Sequence, residues 1–294
     1  MSLKQFLLLL IPSALWGSSF IFMKELAPIF GPVLTATLRI IAASLFLIIL
    51  FLVQGYKVHW KRDWKLFMII GLGNSAIPFS LYAYAALFIP SSLSVILNST
   101  SPMFGVLFGL IMLGSRISWN KLVGVLLGTV GEGFVSSIAF SENSIEVYLS
   151  VLACIGAALL YGWSGAYVKK YAQHIEAKQL TVGSLTFAGG FLIIVSIVMM
   201  ILNVNGEVIT DNLFRNLGLV VLFGILCTSI PYIVYYKLLQ EVGPTKALMV
   251  TYLMPIFGLI WSMLYGESIV LTTILGLIII LGGIYLLSME KEKN

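Results

Sequence analysis

The stretch Asn98-Ser99-Thr100-Ser101-Pro102-Met103-Phe104-Gly105 decides how this chain is read, because Thr251-Tyr252-Leu253-Met254-Pro255-Ile256-Phe257-Gly258 answers it 153 positions later. Each proline is followed by x-Phe-Gly. The same offset pairs Gly71 with Gly224, Pro78 with Pro231 and Tyr82 with Tyr235. Beyond the prolines the offset falls to 152, and Gly114, Gly124 and Gly131 pair with Gly266, Gly276 and Gly283. A proline inside a helix lacks an N–H and crowds the carbonyl four residues back. Its return at one spacing, among matched glycines, predicts two copies of a single helical plan.

Of the 294 residues 60% are hydrophobic, and the mean hydropathy is +1.04. A soluble core of this size cannot bury that much apolar surface, so the composition predicts an all-α integral membrane protein. Apolar runs of about 18 to 25 residues, each long enough to cross a ~30 Å hydrocarbon layer, follow one another with short breaks. We read ten helices, at 5–23, 32–53, 64–88, 91–113 and 120–139, then 147–168, 178–203, 216–239, 244–265 and 269–288. The dyad alternation of a membrane barrel is absent. The first apolar run could be a signal peptide, but Trp16-Gly17-Ser18-Ser19-Phe20 has no small-x-small cleavage site, and we keep it as helix one. Cys154 and Cys227 fall inside expected helices, and His59 and His174 fall in loops. That inventory predicts no disulfide framework, no metal site and no cofactor.

Lysine and arginine in short loops stay on the cytoplasmic side. With the N-terminus inside, fourteen basic residues are internal, Lys24 and Arg215 are external, and Arg39 lies within helix two. Both termini are therefore expected to be cytoplasmic. The net charge of +5 is an orientation signal and gives no reason to expect a nucleic-acid partner. Five helices per copy is an odd number, so the second copy, 147–288, enters the membrane opposite to the first, 1–140, and 289–294 forms a short charged tail. Inverted repeats place a site near the midplane, reachable from either side in turn, as in many secondary transporters. A duplicated scaffold without transport is the plain alternative.

Intramembrane Pro78, Pro102, Pro231 and Pro255 are the expected hinges. Helical spacing puts Ser94, Asn98, Ser101 and Gly105 on one face, with Ala247, Thr251 and Gly258 on its twin. Asn98 is a costly group in lipid unless paired. Trp16, Tyr82, Tyr161, Trp163, Tyr232, Tyr235, Tyr236 and Tyr252 gather at similar depth. An aromatic-walled cavity with a few hydroxyls suits a small amphipathic solute such as an apolar amino acid, and its ring faces suit an ammonium group. Arg39 is read either as an anchor to backbone carbonyls or as the receptor of a substrate carboxylate. Glu132, in helix five, is a proton-coupling candidate or a neutral acid bonded to a neighbour.

Trp16-Gly17-Ser18-Ser19-Phe20, the two small-or-polar-x-x-Pro runs, Gly243-Pro244, Gly266-Glu267, Gly276 and Gly282-Gly283, in this order, resemble the EamA family of the drug/metabolite transporter superfamily. The resemblance spans the whole chain. It departs at Ser115, where the family has an acid, and at Glu132, where the family has an apolar residue. It implies Trp16, Tyr82, Asn98, Trp163, Tyr232 and Thr251 as cavity lining, and an exporter of small metabolites, amino acids or related compounds, in a prokaryotic inner membrane. A small-multidrug-type cation exporter ranks second, since helix one holds only Glu25 near its outer end. A membrane enzyme ranks third. The expected partners are a small-molecule solute and the bilayer, with no ATP-binding loop and hence a gradient as energy source; oligomeric state is left open.

Overall fold

The computed structural model describes residues 3–114, 118–140, 144–202, 212–242 and 250–288. Its helices are α1 (Leu3–Phe30), α2 (Pro32–Val53), α3 (Trp60–Gly71), α4 (Ile77–Phe88), α5 (Ser91–Asn98), α6 (Ser101–Leu113), α7 (Trp119–Phe140), α8 (Ile145–Tyr171), α9 (Ala177–Ile201), α10 (Leu213–Gly224), α11 (Ile230–Val242), α12 (Val250–Leu264) and α13 (Leu271–Ser288). Two π-helical turns, π1 (Leu72–Ala76) and π2 (Ile225–Ser229), join α3 to α4 and α10 to α11. Among the described residues seven helical stretches are long and apolar enough to cross a membrane, and Leu253–Leu264 and Leu271–Leu286 are shorter apolar helices. Leucine and isoleucine also cover the outward faces: on α2, Leu45, Ile49 and Leu52 are exposed while Ile40 and Leu47 are buried. Such a surface is built for lipid.

Pro78 and Pro231 do not break their helices. Each lies two residues past the end of a π turn, in which the N–H of Ile77 bonds Leu72 O and that of Ile230 bonds Ile225 O. Widening the turn by one residue makes room where the proline ring would meet a carbonyl. The two π turns stand at the same 153-residue offset as the prolines.

Around Pro102 the helix does break. The expected span 91–113 divides into α5 and α6, with Ser99 and Thr100 between them. Three consecutive hydroxyls turn back onto the preceding turn, Ser99 Oγ to Ile96 O, Thr100 Oγ1 to Leu97 O and Ser101 Oγ to Asn98 O, each at 2.6 Å; Ile96 O and Leu97 O also accept the backbone N–H of Ser99 and Thr100, and Asn98 O is the carbonyl that Pro102 cannot serve. Such side chains offer the backbone an alternative to the helical ladder. The single polar face expected through Ser94, Asn98, Ser101 and Gly105 is therefore interrupted. Pro255 lies inside α12, which continues through it.

The two halves grip one another reciprocally. A methyl group at Gly17 of α1 would stand 2.8 Å from Gly258 N and 3.2 Å from Phe257 C on α12. One at Gly162 of α8 would stand 2.5 Å from Gly105 N and 2.5 Å from Phe104 C on α6. Each half's first long helix is thus seated, through a glycine, on the Phe-Gly step of the other half's proline helix. Close backbone approach of this kind is how small residues join helices in lipid. α7 and α13 meet similarly, Gly131 against Gly276 and Gly283 against Gly124.

Contacts at the two ends differ in kind. At the lysine-rich end Asp63, 4% exposed, accepts from Gln179 Nε2 at 2.9 Å and pairs with Arg62 at 2.9 Å and His174 at 3.5 Å. Tyr56 Oη donates to Glu176 at 2.7 Å beside it. At the opposite end Glu267, just after α12, receives the N–H of Ser91 at 2.7 Å, the N–H of Ser92 at 3.0 Å and the Ser91 hydroxyl at 2.7 Å. Its carboxylate thus caps α5, where free N–H groups and the helix dipole favour an anion. Lys24 donates to Ile89 O at 3.1 Å, and Tyr265 donates to Glu25, which also lies 3.8 Å from Arg215.

Candidate functional site

Between these ends a set of polar and aromatic side chains meets from both halves. Asn98 is the last residue of α5, so the break leaves its side chain beside the turn and not along a continuous wall. Its Oδ1 accepts from Tyr82 Oη at 2.8 Å, and its Nδ2 points to Met254 Sδ on α12 at 3.8 Å. The carboxamide therefore bridges α4 and α12 across the halves. Tyr82, 2% exposed, is held by Phe20 edge-on at 5.3 Å and by Tyr161 nearly parallel at 6.1 Å.

Trp16 occupies the corresponding place against the second half. Its ring meets Tyr232 edge-on at 5.7 Å and Tyr235 at 5.6 Å. Asn74, in π1, donates to Tyr232 Oη at 3.4 Å. The neighbouring Gly73 lies under Trp163, where a methyl group would stand 2.4 Å from the indole, and Trp163 packs on Tyr167 at 5.0 Å. Trp16, Asn74, Asn98, Tyr161, Trp163, Tyr232 and Tyr235 are only half-buried. They form a contact chain of two strings, one from Asn74 to Tyr232, Trp16 and Tyr235 with Trp163 over the adjacent Gly73, the other from Tyr161 through Tyr82 to Asn98.

Arg39, 3% exposed, sits against the second π turn. Nε donates to Thr228 Oγ1 at 2.9 Å and Nη2 to Cys227 O at 3.1 Å, the latter a carbonyl inside the widened turn. Phe79 and Phe223 cover the guanidinium at 3.8 and 4.4 Å from their ring centres. These cation–π contacts and charge-assisted bonds offset much of the cost of a buried cation. Nη1 has no hydrogen-bond partner among the described residues, and Tyr161 and Tyr232 lie within electrostatic reach.

The side chains of Glu132 and Thr251, like those of Tyr236 and Tyr252, lie outside the described residues, as does Ser115. Of the other expected site residues, Trp16, Tyr82, Asn98 and Tyr232 fall in or directly beside the contact chain, Trp163 at its end and Arg39 behind it. Asn74 and Met254 were not expected. Asn74 had a signal, as a carboxamide in an otherwise apolar run four residues before Pro78; Met254 had none, because it resembles any core methionine.

A crevice of about 220 Å³ opens beside Tyr232, between α2, α9 and α11, with Gln54, Lys178 and Lys237 at its lysine-rich end. The groups assembled along this path are ring faces, hydroxyls and carboxamides, suited to holding a solute.

The comparisons with known proteins agree with this architecture. The model of the EamA-like transporter family matches residues 3–137 and again 148–289. The chain belongs to that family. Similar proteins include the uncharacterized transporter YvbV of Bacillus subtilis, 23% identical over 95% of this chain and 90% of its own length, and an uncharacterized transporter of Archaeoglobus fulgidus, 24% identical over 98% and 100%. A solved crystal structure, 16% identical, superposes with a TM-score of 0.67 over 99% of both chains, which fixes the likeness of fold. The protein is thus a multi-helix membrane transporter.

Proposed function

We propose that this transporter exports small metabolites, amino acids or related amphipathic solutes, from a prokaryotic cytoplasm by alternating access. In this reading ten helices form two inverted repeats, 1–140 and 147–288, and the lysine-rich end faces the cytoplasm along with both termini. The observation that carries it is the bridge Tyr82–Asn98–Met254, a polar link between the halves placed at a helix break. A break supplies a bending point and a carboxamide whose partners a solute can replace. The reciprocal seats of Gly17 and Gly162 support two halves that rock about a shared centre.

Trp16, Tyr82, Asn98, Trp163, Tyr232 and Thr251 line the cavity, and Arg39 offers Nη1 to a carboxylate. The glutamate cap on α5 closes the outer end while the crevice stays open at the inner one. The drive is a solute or proton gradient, with Glu132 as the residue to carry a proton. Glu132→Gln in proteoliposomes should then flatten the response to an imposed pH gradient.

Counterflow of labelled amino acids into sealed proteoliposomes tests the whole reading. Native protein should exchange at least one amino acid with an apolar side chain, and Asn98→Leu should slow that exchange roughly tenfold, about 1.4 kcal/mol of lost binding. Absence of exchange across the amino acids, alongside exchange of organic cations, would replace it with the cation-exporter reading.

A further inference from the structure

The crevice beside Tyr232 has a charge pattern that the transport reading does not use. Gln54 at the end of α2, Lys178 and Thr181 in the first turns of α9, and Lys237 on α11 surround its mouth, and among the described residues no carboxylate lines it. Glu176, the acid nearest Lys178 in sequence, is engaged by the Tyr56 hydroxyl. Lys178 Nζ stands 5.9 Å from the centre of the Phe51 ring, which also lines the crevice. Both lysines are exposed and have room to turn inward.

Away from the lysines the lining is apolar, with Leu47, Leu50 and the exposed Ile233, and it includes Tyr232. Tyr232 belongs to the contact chain described above, touching Trp16 and Asn74. Beyond it, within electrostatic reach, Arg39 keeps one guanidinium nitrogen without a hydrogen-bond partner among the described residues. The crevice therefore runs from two hydrated cations, along an apolar wall, towards a buried cation. An anion with an apolar body gains at each stage, and a cation is opposed throughout.

We propose that this crevice is the entrance for solutes that carry a carboxylate, which Lys178 and Lys237 select before the solute reaches the aromatic cavity. The assignment rests on the transport reading and narrows its substrates to carboxylate-bearing amphipathic molecules. Continuity with Tyr232 favours a solute over a phospholipid headgroup, which would need only the mouth.

Binding to purified full-length protein in zwitterionic phosphatidylcholine nanodiscs tests it, with 3-phenylpropanoate and 3-phenylpropanamide as probes of one skeleton with and without the charge. Native protein should hold the anion at least roughly fivefold more tightly, each exposed lysine accounting for a factor of about two to three. Lys178→Gln with Lys237→Gln should shrink the gap roughly fivefold, to the share that Arg39 supplies, while leaving the amide's affinity unchanged, and raised salt should narrow it in native protein. Equal affinities in native protein, or a gap that the double variant leaves unchanged, would overturn the entrance. Loss of the gap when phosphatidylglycerol is added to the nanodisc would overturn it too, by giving the crevice to a lipid headgroup. Amino-acid counterflow by the native protein, measured in parallel, separates the two claims: flux without a charge gap removes only the entrance, whereas no flux removes transport itself.

Discussion

The helix holding Pro102 and the helix holding Pro255 carry the same x-Phe-Gly step, yet one is broken and the other continues. The three residues before Pro102 are Ser99, Thr100 and Ser101, and their hydroxyls take up the carbonyls of Ile96, Leu97 and Asn98. Before Pro255 stand Tyr252, Leu253 and Met254, none of which can fold back onto the preceding turn in that way. Unpaired carbonyls in an apolar surrounding cost several kcal/mol each. At Pro102 the Ser101 hydroxyl serves Asn98 O in place of the missing N–H, while Ile96 O and Leu97 O keep the backbone N–H of Ser99 and Thr100 in tightened turns, so the chain can open there. A proline sets the place of a hinge, and its neighbours decide whether the hinge opens.

The reciprocal glycine seats are where the comparison breaks most readily. Gly162→Val and Gly17→Val each force a side chain into the partner's backbone, and each should cost on the order of 3 kcal/mol or more. Thermal unfolding of detergent-purified variants measures this; native-like melting in either one would show that the halves do not seat as described. Next in size is Pro102→Ala, which restores an N–H for Asn98 O and should slow counterflow roughly tenfold, about 1.4 kcal/mol. Pro255→Ala, in a helix already continuous, should stay within about threefold of native. Equal effects would erase the distinction between the two prolines.

Glu267→Gln keeps the size of the cap but loses its charge and turns an amide donor towards an N–H, at a cost of about 1–2 kcal/mol. A cysteine placed at the buried Ser94 should then react with an external maleimide about tenfold faster. Unchanged labelling would remove the glutamate from the closure of that end.

The smallest effect concerns the paired tyrosines of the two ends. Burial first, then the bonded carboxylate, pushes the Tyr265 hydroxyl up to about 12 beside Glu25 and the Tyr56 hydroxyl up to about 12 beside Glu176. A raised tyrosine contributes its stability fully below its ordinary value near 10 and loses it as pH climbs from there to about 12. Melting temperature should therefore be flat across pH 7–9 on account of these groups, and Tyr265→Phe should leave that plateau unchanged. A slope in native protein that vanishes in the variant would show the hydroxyl titrating early.

How far the site could be read in advance depends on how far its partners lie along the chain. Asn98 announced itself as a costly group, and its hydroxyl triplet stands beside it in sequence. Tyr82 lies 16 positions from Asn98, Met254 lies 156 away, and Ser91 lies 176 from Glu267, so those bonds have no local signature. Arg39 was legible as a buried cation in need of partners. A backbone carbonyl was among the expected partners; that it would lie in a π turn, joined by a threonine and two phenylalanine faces, was not legible, because aromatic cover replaces the acid that charge pairing leads one to seek.

By itself the sequence determined the membrane-spanning class, the succession of apolar helices and the duplicated plan, because hydrophobic length and proline spacing act locally and leave a periodic trace. Tertiary structure alone decided that Pro78 and Pro231 are absorbed by π turns, that Glu267 caps a helix of the other half, and that Asn98 joins α4 to α12. These depend on which backbones come within reach of one another, and reach is a property of the packed bundle.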